Sequence, residues 1–142
     1  MDQEKHAALV ALRKIVEVIM MNYKIEYKRE FNYVSLLFMG VLDMDEARAC
    51  RDKLHEVLLA YSCTRVLVDT TKVTAKLSIV EEYELTKELR YELPSSVSIA
   101  LIVPQEGVTD GGFIENVAVN RGVRLRAFTE KDEALAWLMK QA

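Results

Sequence analysis

The pattern of apolar and polar residues predicts an amphipathic helix at the beginning of the chain and an antiparallel hairpin after it. Apolar residues recur at helical spacing over residues 1–20, and period-two alternation begins at Tyr23. Residues 33–40 are almost continuously apolar, which is typical of a strand covered on both faces. We therefore expect an N-terminal helix over residues 1–21 and a single domain over residues 22–142.

Four more helices are predicted from capping residues and apolar stripes. Asp43 and Ser78 are each followed three residues later by Glu, which is the spacing of a capping box. Gly122 suits the left-handed position that ends a helix. The predicted helices run from Asp43 to about Tyr61, from Ser78 to about Leu93, from Phe113 to about Asn120, and from Thr129 to near the C-terminus.

Strands are predicted between these helices. Apolar runs indicate buried strands over residues 64–69 and 97–103, and alternation with Arg indicates an edge strand over residues 123–128. Residues 70–77 are predicted to be irregular, and the glycine-rich stretch 105–112 to be the most flexible part of the chain. This order predicts an α/β sandwich with a mainly parallel sheet, an N-terminal antiparallel hairpin strand and flanking helices.

The carboxyl ends of the predicted strands supply the candidate site residues, because ligands of open parallel sheets bind outside that edge. Asp69 is the last residue of a predicted strand, and Thr70 and Thr71 directly follow it. The Asp69 carboxylate has two interpretations, since it either accepts hydrogen bonds from backbone amides of the next loop or faces a ligand. Asp43 and Thr129 are expected to act mainly as helix caps.

An apolar pocket is expected at the same edge. Leu77 and Phe113 are predicted to line it. Asp110 lies among three glycines, and these residues form either an anion cradle at a helix N-terminus or a plain flexible loop. The candidate ligand-binding residues are therefore Asp43, Asp69, Thr70, Thr71, Leu77, Asp110 and Phe113.

Composition and charge make several classes of function improbable. With 19 Lys and Arg against 22 Asp and Glu, the chain has no electrostatic attraction for nucleic acid. Its two Cys and two His lack the spacing of a metal site, and we expect neither a metal nor a cofactor. The N-terminus does not resemble a signal peptide, and charged residues interrupt the apolar segment 7–21. We expect a cytoplasmic protein without a transmembrane helix.

An enzyme is disfavoured, because no nucleophile elbow or visible triad is present. Cys63 has no neighbouring His in the sequence and is expected to be a packed thiol. A small hydrolase or transferase that uses Asp69 with a loop carboxylate stays open as an alternative.

Five segments of the chain resemble the SpoIIAA-like family, namely residues 22–25, 40–43, 66–69, 115–122 and 126–138. This is a bacterial STAS-like group whose fold also resembles the lipid-binding CRAL-TRIO domain. The resemblance implies a STAS-type α/β sandwich, no established chemistry and a free-standing cytoplasmic protein.

The resemblance also gives a second function hypothesis. Switch proteins of the wider STAS superfamily carry Asp-Ser-Ser-Gly where this chain has Asp69-Thr-Thr-Lys72, so that Thr71 is the candidate for phosphorylation. Lys72 replaces the glycine, and the next helix cap, Ser78, lies several residues later. A phosphate group is stabilised most when it lies directly at a helix N-terminus, beside free backbone amides and the positive end of the helix dipole. We therefore rank an anti-sigma-antagonist switch below ligand or partner binding.

The leading hypothesis is a non-catalytic module that binds a small apolar or anionic ligand, or a protein partner, at the strand carboxyl edge.

The predicted N-terminal helix has acids and bases mixed on its polar face. This favours docking within the protein or between subunits of a homodimer, with peripheral contact to a membrane surface as the alternative.

Overall fold

The computed structural model describes residues 3–5, 7, 19, 20 and 22–142, and among these residues it contains one six-stranded sheet and four complete helices. The strands are β1 (Ile19–Met20), β2 (Tyr23–Lys28), β3 (Tyr33–Val41), β4 (Arg65–Ala75), β5 (Ser98–Ile102) and β6 (Arg124–Phe128). The helices are α1 (Met44–Ala60), α2 (Ile79–Glu92), α3 (Val108–Asn120) and α4 (Lys131–Met139), with a 3-10 turn at Gln105–Gly107.

Most of the predicted N-terminal helix lies outside the described residues. Its predicted C-terminal end is wrong, because Ile19 and Met20 form the short strand β1, in which they pair with Lys24 and Tyr23 of β2. At these two positions the backbone is therefore extended and paired with β2, not helical.

The predicted α/β sandwich with a mainly parallel sheet is confirmed. The sheet has the order β1-β2-β3-β4-β5-β6, with antiparallel pairing up to β3 and parallel pairing from β3 to β6. Crossovers between neighbouring parallel strands have the same hand, which places their helices on one face of the sheet. Accordingly, α1, α2 and α3 cover one face, and α4 packs on the other.

Alternation along the central strands separates the two hydrophobic cores. Val66 and Ile99 face the three helices α1–α3, whereas Leu67 and Ala100 face α4. All five residues of β5 are buried, as predicted for a strand covered on both faces.

The predicted end of β4 at Asp69 is wrong, because the strand continues to Ala75. The long strand β3 supplies a pairing partner as far as Val41, which lies opposite Ala75, although the register shifts twice along the way. This support comes from a segment more than 30 residues away in the chain, and the local sequence pattern of residues 70–75 does not show it.

The stretch 105–112, predicted to be a flexible loop or an anion cradle, is helical. It forms the 3-10 turn and the first turns of α3, which begins at Val108 rather than Phe113. Gly111 allows α3 to approach the sheet closely, since a Cβ atom at this position would lie 3.2 Å from Val103 and 3.3 Å from Ala127. Here glycine serves close packing.

The predicted caps are confirmed at three of four helix ends. The Asp43 carboxylate accepts a hydrogen bond from the Glu46 amide at 2.8 Å, and Ser78 with Glu81 forms a complete capping box. Gly122 has a φ of +79° at the end of α3. The prediction for Thr129 is wrong, because Glu130 occupies the N-cap position of α4 without a side-chain capping bond.

Two adjacent glycines in α3 provide a matched stability test. Gly112→Ala adds a methyl group where no atom lies within 4 Å, and we expect it to raise the free energy of unfolding by about 1 kcal/mol through helix propensity. Gly111→Ala pushes against Val103 and Ala127, and overpacking costs about 1–3 kcal/mol. Urea unfolding should therefore rank Gly112→Ala above Gly111→Ala, and equal stabilities would contradict close packing at Gly111.

Candidate functional site

A cavity of about 440 Å³ lies between the sheet and the helices α1, α2 and α3. Its walls are mainly apolar and come from every layer that surrounds it. They include Leu36, Val68 and Leu101 from the strands and Leu54, Leu85 and Ile114 from the helices. An apolar cavity with a few polar groups is the usual form of a small-molecule site.

The cavity exists because α2 stands away from the sheet. This helix packs mainly against its neighbours α1 and α3 rather than on the strands. Within α2 only Thr86 is buried, whereas the inward residues Leu85 and Leu89 are half-buried and line the cavity. The helix therefore covers the cavity and is held in place mainly by its contacts with α1 and α3.

Polar contacts hold α2 to the helices on both of its sides. The Glu88 carboxylate accepts hydrogen bonds from Arg48 at 2.8 and 3.1 Å and from Arg51 at 2.6 Å, which ties α2 to α1. Arg121 donates to the Tyr83 hydroxyl at 2.7 Å, which ties α2 to the end of α3. The hydrogen bonds from Arg48 hold the pKa of Glu88 below its ordinary value.

The part of the cavity at the carboxyl ends of β4 and β5 carries most of its charged lining residues. Exposed Lys76 forms an ion pair with Asp110. The Glu82 atom Oε2 is buried and has no hydrogen-bond partner among the described residues. Burial raises the pKa of Glu82, and the charge of Lys76 opposes this rise.

The structure brings three of the predicted site residues to the cavity and leaves four away from it. Thr70, Leu77 and Asp110 are lining residues. Asp43 caps α1, and Phe113 is partly exposed on α3 without lining the cavity. Asp69 and Thr71 also lie outside its lining.

Three solved structures share this architecture, although no family model and no curated protein matches the chain. An uncharacterised protein of the DUF3478 family with a SpoIIAA-like fold from Shewanella loihica PV-4 aligns with a TM-score of 0.56 and 17% identity, over 84% of this chain and 96% of that one. The anti-sigma factor antagonist SpoIIAA in its unphosphorylated form gives 0.55 and 13%, over 83% and 98%. The chain has a SpoIIAA-like fold. An anti-sigma factor antagonist from Mycobacterium paratuberculosis gives 0.55 and 14%, over 82% and 93%.

In this SpoIIAA-like fold, the segment Asp69-Thr70-Thr71 makes local structural hydrogen bonds. The Asp69 atom Oδ1 accepts from the Thr71 amide at 2.8 Å and from the Thr71 hydroxyl at 2.6 Å. The Thr70 hydroxyl donates to the Ile102 carbonyl at 2.7 Å and so satisfies the end of β5. Of the two interpretations of Asp69, the backbone-bonded one is the one observed.

The sequence reasoning missed Glu82. Its neighbour Glu81 completes the capping box, and Glu82 has no part in that pattern. Glu82, Leu85, Thr86 and Leu89 nevertheless follow the spacing i, i+3, i+4 and i+7, which places Glu82 on the inward stripe of α2. A charged residue within such a stripe is the sequence signal that could have located Glu82.

Neither metal ligands nor a membrane span is found in the described part of the chain. No three His, Cys, Asp or Glu residues of that part are grouped so that they could hold a metal ion. None of its helices is long and apolar enough to cross a bilayer. Cys50 and Cys63 are buried and unbridged, and burial raises the pKa of the Cys50 thiol.

We expect Glu88→Gln to weaken the attachment of α2 in a pH-dependent way. The lowered pKa of Glu88 in the folded protein means that its stabilisation is present above the ordinary carboxyl value of 4.5 and is lost as the pH falls through the folded-state value. The variant should lose about 1–2 kcal/mol of unfolding free energy at neutral pH.

Denaturant unfolding between neutral and acidic pH measures this loss, with Glu84→Gln on the same helix as the control. Glu84 forms a 3.5 Å surface pair with Lys87, so its replacement should cost less than about 0.5 kcal/mol. A loss at Glu88 that persists undiminished at acid pH would contradict the ion-pair explanation.

Proposed function

We propose that the protein binds a small, largely apolar molecule in the cavity beneath α2. The cavity itself is the observation that carries the proposal. Its volume of about 440 Å³ falls within the range of about 300–1,000 Å³ that is typical of ligand sites. The combination of apolar walls and a few polar groups at one end fits a molecule with an apolar body and a polar tip.

Unfilled apolar space supports an occupant, because the apolar side chains that line it lack contact partners on one side. A bound apolar molecule would restore the missing contacts.

The position of the cavity in the fold gives further support. Its lining includes residues that follow β4 and β5, such as Lys76 and Pro104. Ligands of open α/β sheets bind outside the carboxyl ends of the strands.

The unbridged thiols of Cys50 and Cys63 suit a reducing compartment, and we place the protein in the cytoplasm. Self-association through residues 1–20 stays a prediction.

A cavity-filling substitution tests the proposal. Leu85→Trp places an indole in the cavity, and we expect it to reduce binding of an environment-sensitive apolar fluorescent dye by about tenfold or more. Val80→Trp on the same helix is the matched control, because Val80 is 71% exposed and does not line the cavity. Fluorescence titration measures both affinities, and circular dichroism checks the fold.

Unchanged dye binding by folded Leu85→Trp would contradict the location of the site. Ile114→Phe fills the same cavity from α3 and provides a second variant if the first fails to fold. Dye binding that falls equally in Val80→Trp would indicate a surface effect and would also count against the proposal.

A phosphorylation-controlled partner surface at Thr71 is the second candidate function. Thr71 is exposed on β4, and two proteins of the same fold are described as anti-sigma factor antagonists. Thr70 is less suited, because its hydroxyl bonds to the Ile102 carbonyl. Catalysis by Asp69 has less support, since Oδ1 already accepts two hydrogen bonds from Thr71.

Incubation with cell extract and ATP, followed by peptide mass mapping, tests this candidate. We expect phosphate on Thr71, none on Thr70, and its loss in Thr71→Ala. The hydrogen bonds between Asp69 and Thr71 also predict that Asp69→Asn changes the extent of labelling. Recovery of the intact peptide without phosphate would count against the switch.

A further inference from the structure

The cations that line the cavity already have carboxylate partners. Arg51 donates to Glu88 at 2.6 Å and to Asp52 at 3.2 Å. Lys76 is paired with Asp110. An anionic ligand would therefore have to break one of these pairs in order to gain a counter-charge.

Within the described part of the chain, Glu82 has no hydrogen-bond partner at one of its carboxylate oxygens, although the charge of Lys76 acts on this carboxyl group. It lies near the beginning of α2 and lines the cavity, and its Oε2 atom is buried without a hydrogen-bond partner among the described residues. Burial of an unpaired carboxylate oxygen costs the hydration that it had in water. Burial also raises the pKa of Glu82, which is the expected response of a carboxyl group that has lost hydration.

We infer that the Glu82 carboxylate accepts a hydrogen bond from the polar end of the bound molecule. This inference rests on the proposed function. The ligand is accordingly an amphiphile with an apolar body and a hydrogen-bond donor, either a hydroxyl or an ammonium group. This narrows the sequence-based expectation of an apolar or anionic ligand and disfavours the anionic member of that pair.

Electrostatics give the direction of this selectivity. A ligand carboxylate at the same place would stand beside the Glu82 carboxylate, and like charges repel more strongly where water is excluded. A hydroxyl or ammonium group would instead supply the missing hydrogen bond, and hydrogen bonds to an ionised acceptor are the stronger kind.

Three amphiphiles with the same alkyl chain test this inference, namely decanol, decylammonium and decanoate. We expect calorimetric titration at neutral pH, below the micelle concentration, to show that decanol and decylammonium bind about tenfold or more tightly than decanoate. Glu82→Gln keeps an acceptor oxygen but removes the charge. It should weaken decylammonium binding by about tenfold and strengthen decanoate binding, and it should change decanol binding least.

Glu84→Gln is the matched control, since it removes the same charge from α2 at a residue that does not line the cavity. Its three affinities should equal those of the wild-type protein. The comparison of decanol with decylammonium shows which donor the site prefers, and either preference supports the inference.

Two kinds of failure are distinguishable. Decanoate binding as tight as decanol binding, or an unchanged ratio of decylammonium to decanoate affinity in Glu82→Gln, overturns the role of Glu82 and leaves the cavity as a ligand site. Absence of binding by all three probes in the folded wild-type protein overturns the proposed function and this inference with it. If Glu82→Gln does not fold, the order of the three wild-type affinities decides.

Discussion

Parallel pairing of four strands in sequence order is the constraint on which the other features of this structure depend. Because β3, β4, β5 and β6 are neighbours in the sheet as they are in the chain, crossovers of one hand place α1, α2 and α3 side by side on the same face. The middle helix then has a helix on each side and the sheet beneath it. Its height above the sheet depends on which of these contacts is strongest.

The side contacts of α2 are polar and specific, whereas its lower side leaves space. Glu88 binds two arginines of α1, and Tyr83 binds Arg121 at the end of α3. The inward stripe contains Glu82 and Thr86 beside leucines. A stripe of this kind packs less closely against a sheet than an all-apolar one, because each buried polar group needs a partner. If the proposed ligand binds there, the loss of close packing is stability that the fold gives up for this function.

The alternation of helices and strands and two of the helix caps were predictable from the sequence, whereas the length of β4 and the packing of α3 depend on distant segments. The capping bonds at Asp43 and Ser78 involve residues three positions apart, and the pattern alone located both helices. The extension of β4 to Ala75 depends on pairing with β3. The close approach of α3 to the sheet at Gly111 depends on Val103 and Ala127, which belong to other parts of the fold. Three of the residues predicted at the carboxyl edge of the sheet, Thr70, Leu77 and Asp110, line the cavity. The cavity itself arises from the height of α2 above the sheet, which no local pattern encodes.

A crystal structure of the protein grown with decanol would show directly whether the cavity beneath α2 holds an amphiphile. We expect continuous density for the alkyl chain between Leu85 and Leu101, with the hydroxyl oxygen about 2.7 Å from a carboxylate oxygen of Glu82. A structure in which Leu85 and Leu89 pack onto the strands and leave no space for a ligand would contradict the proposed site.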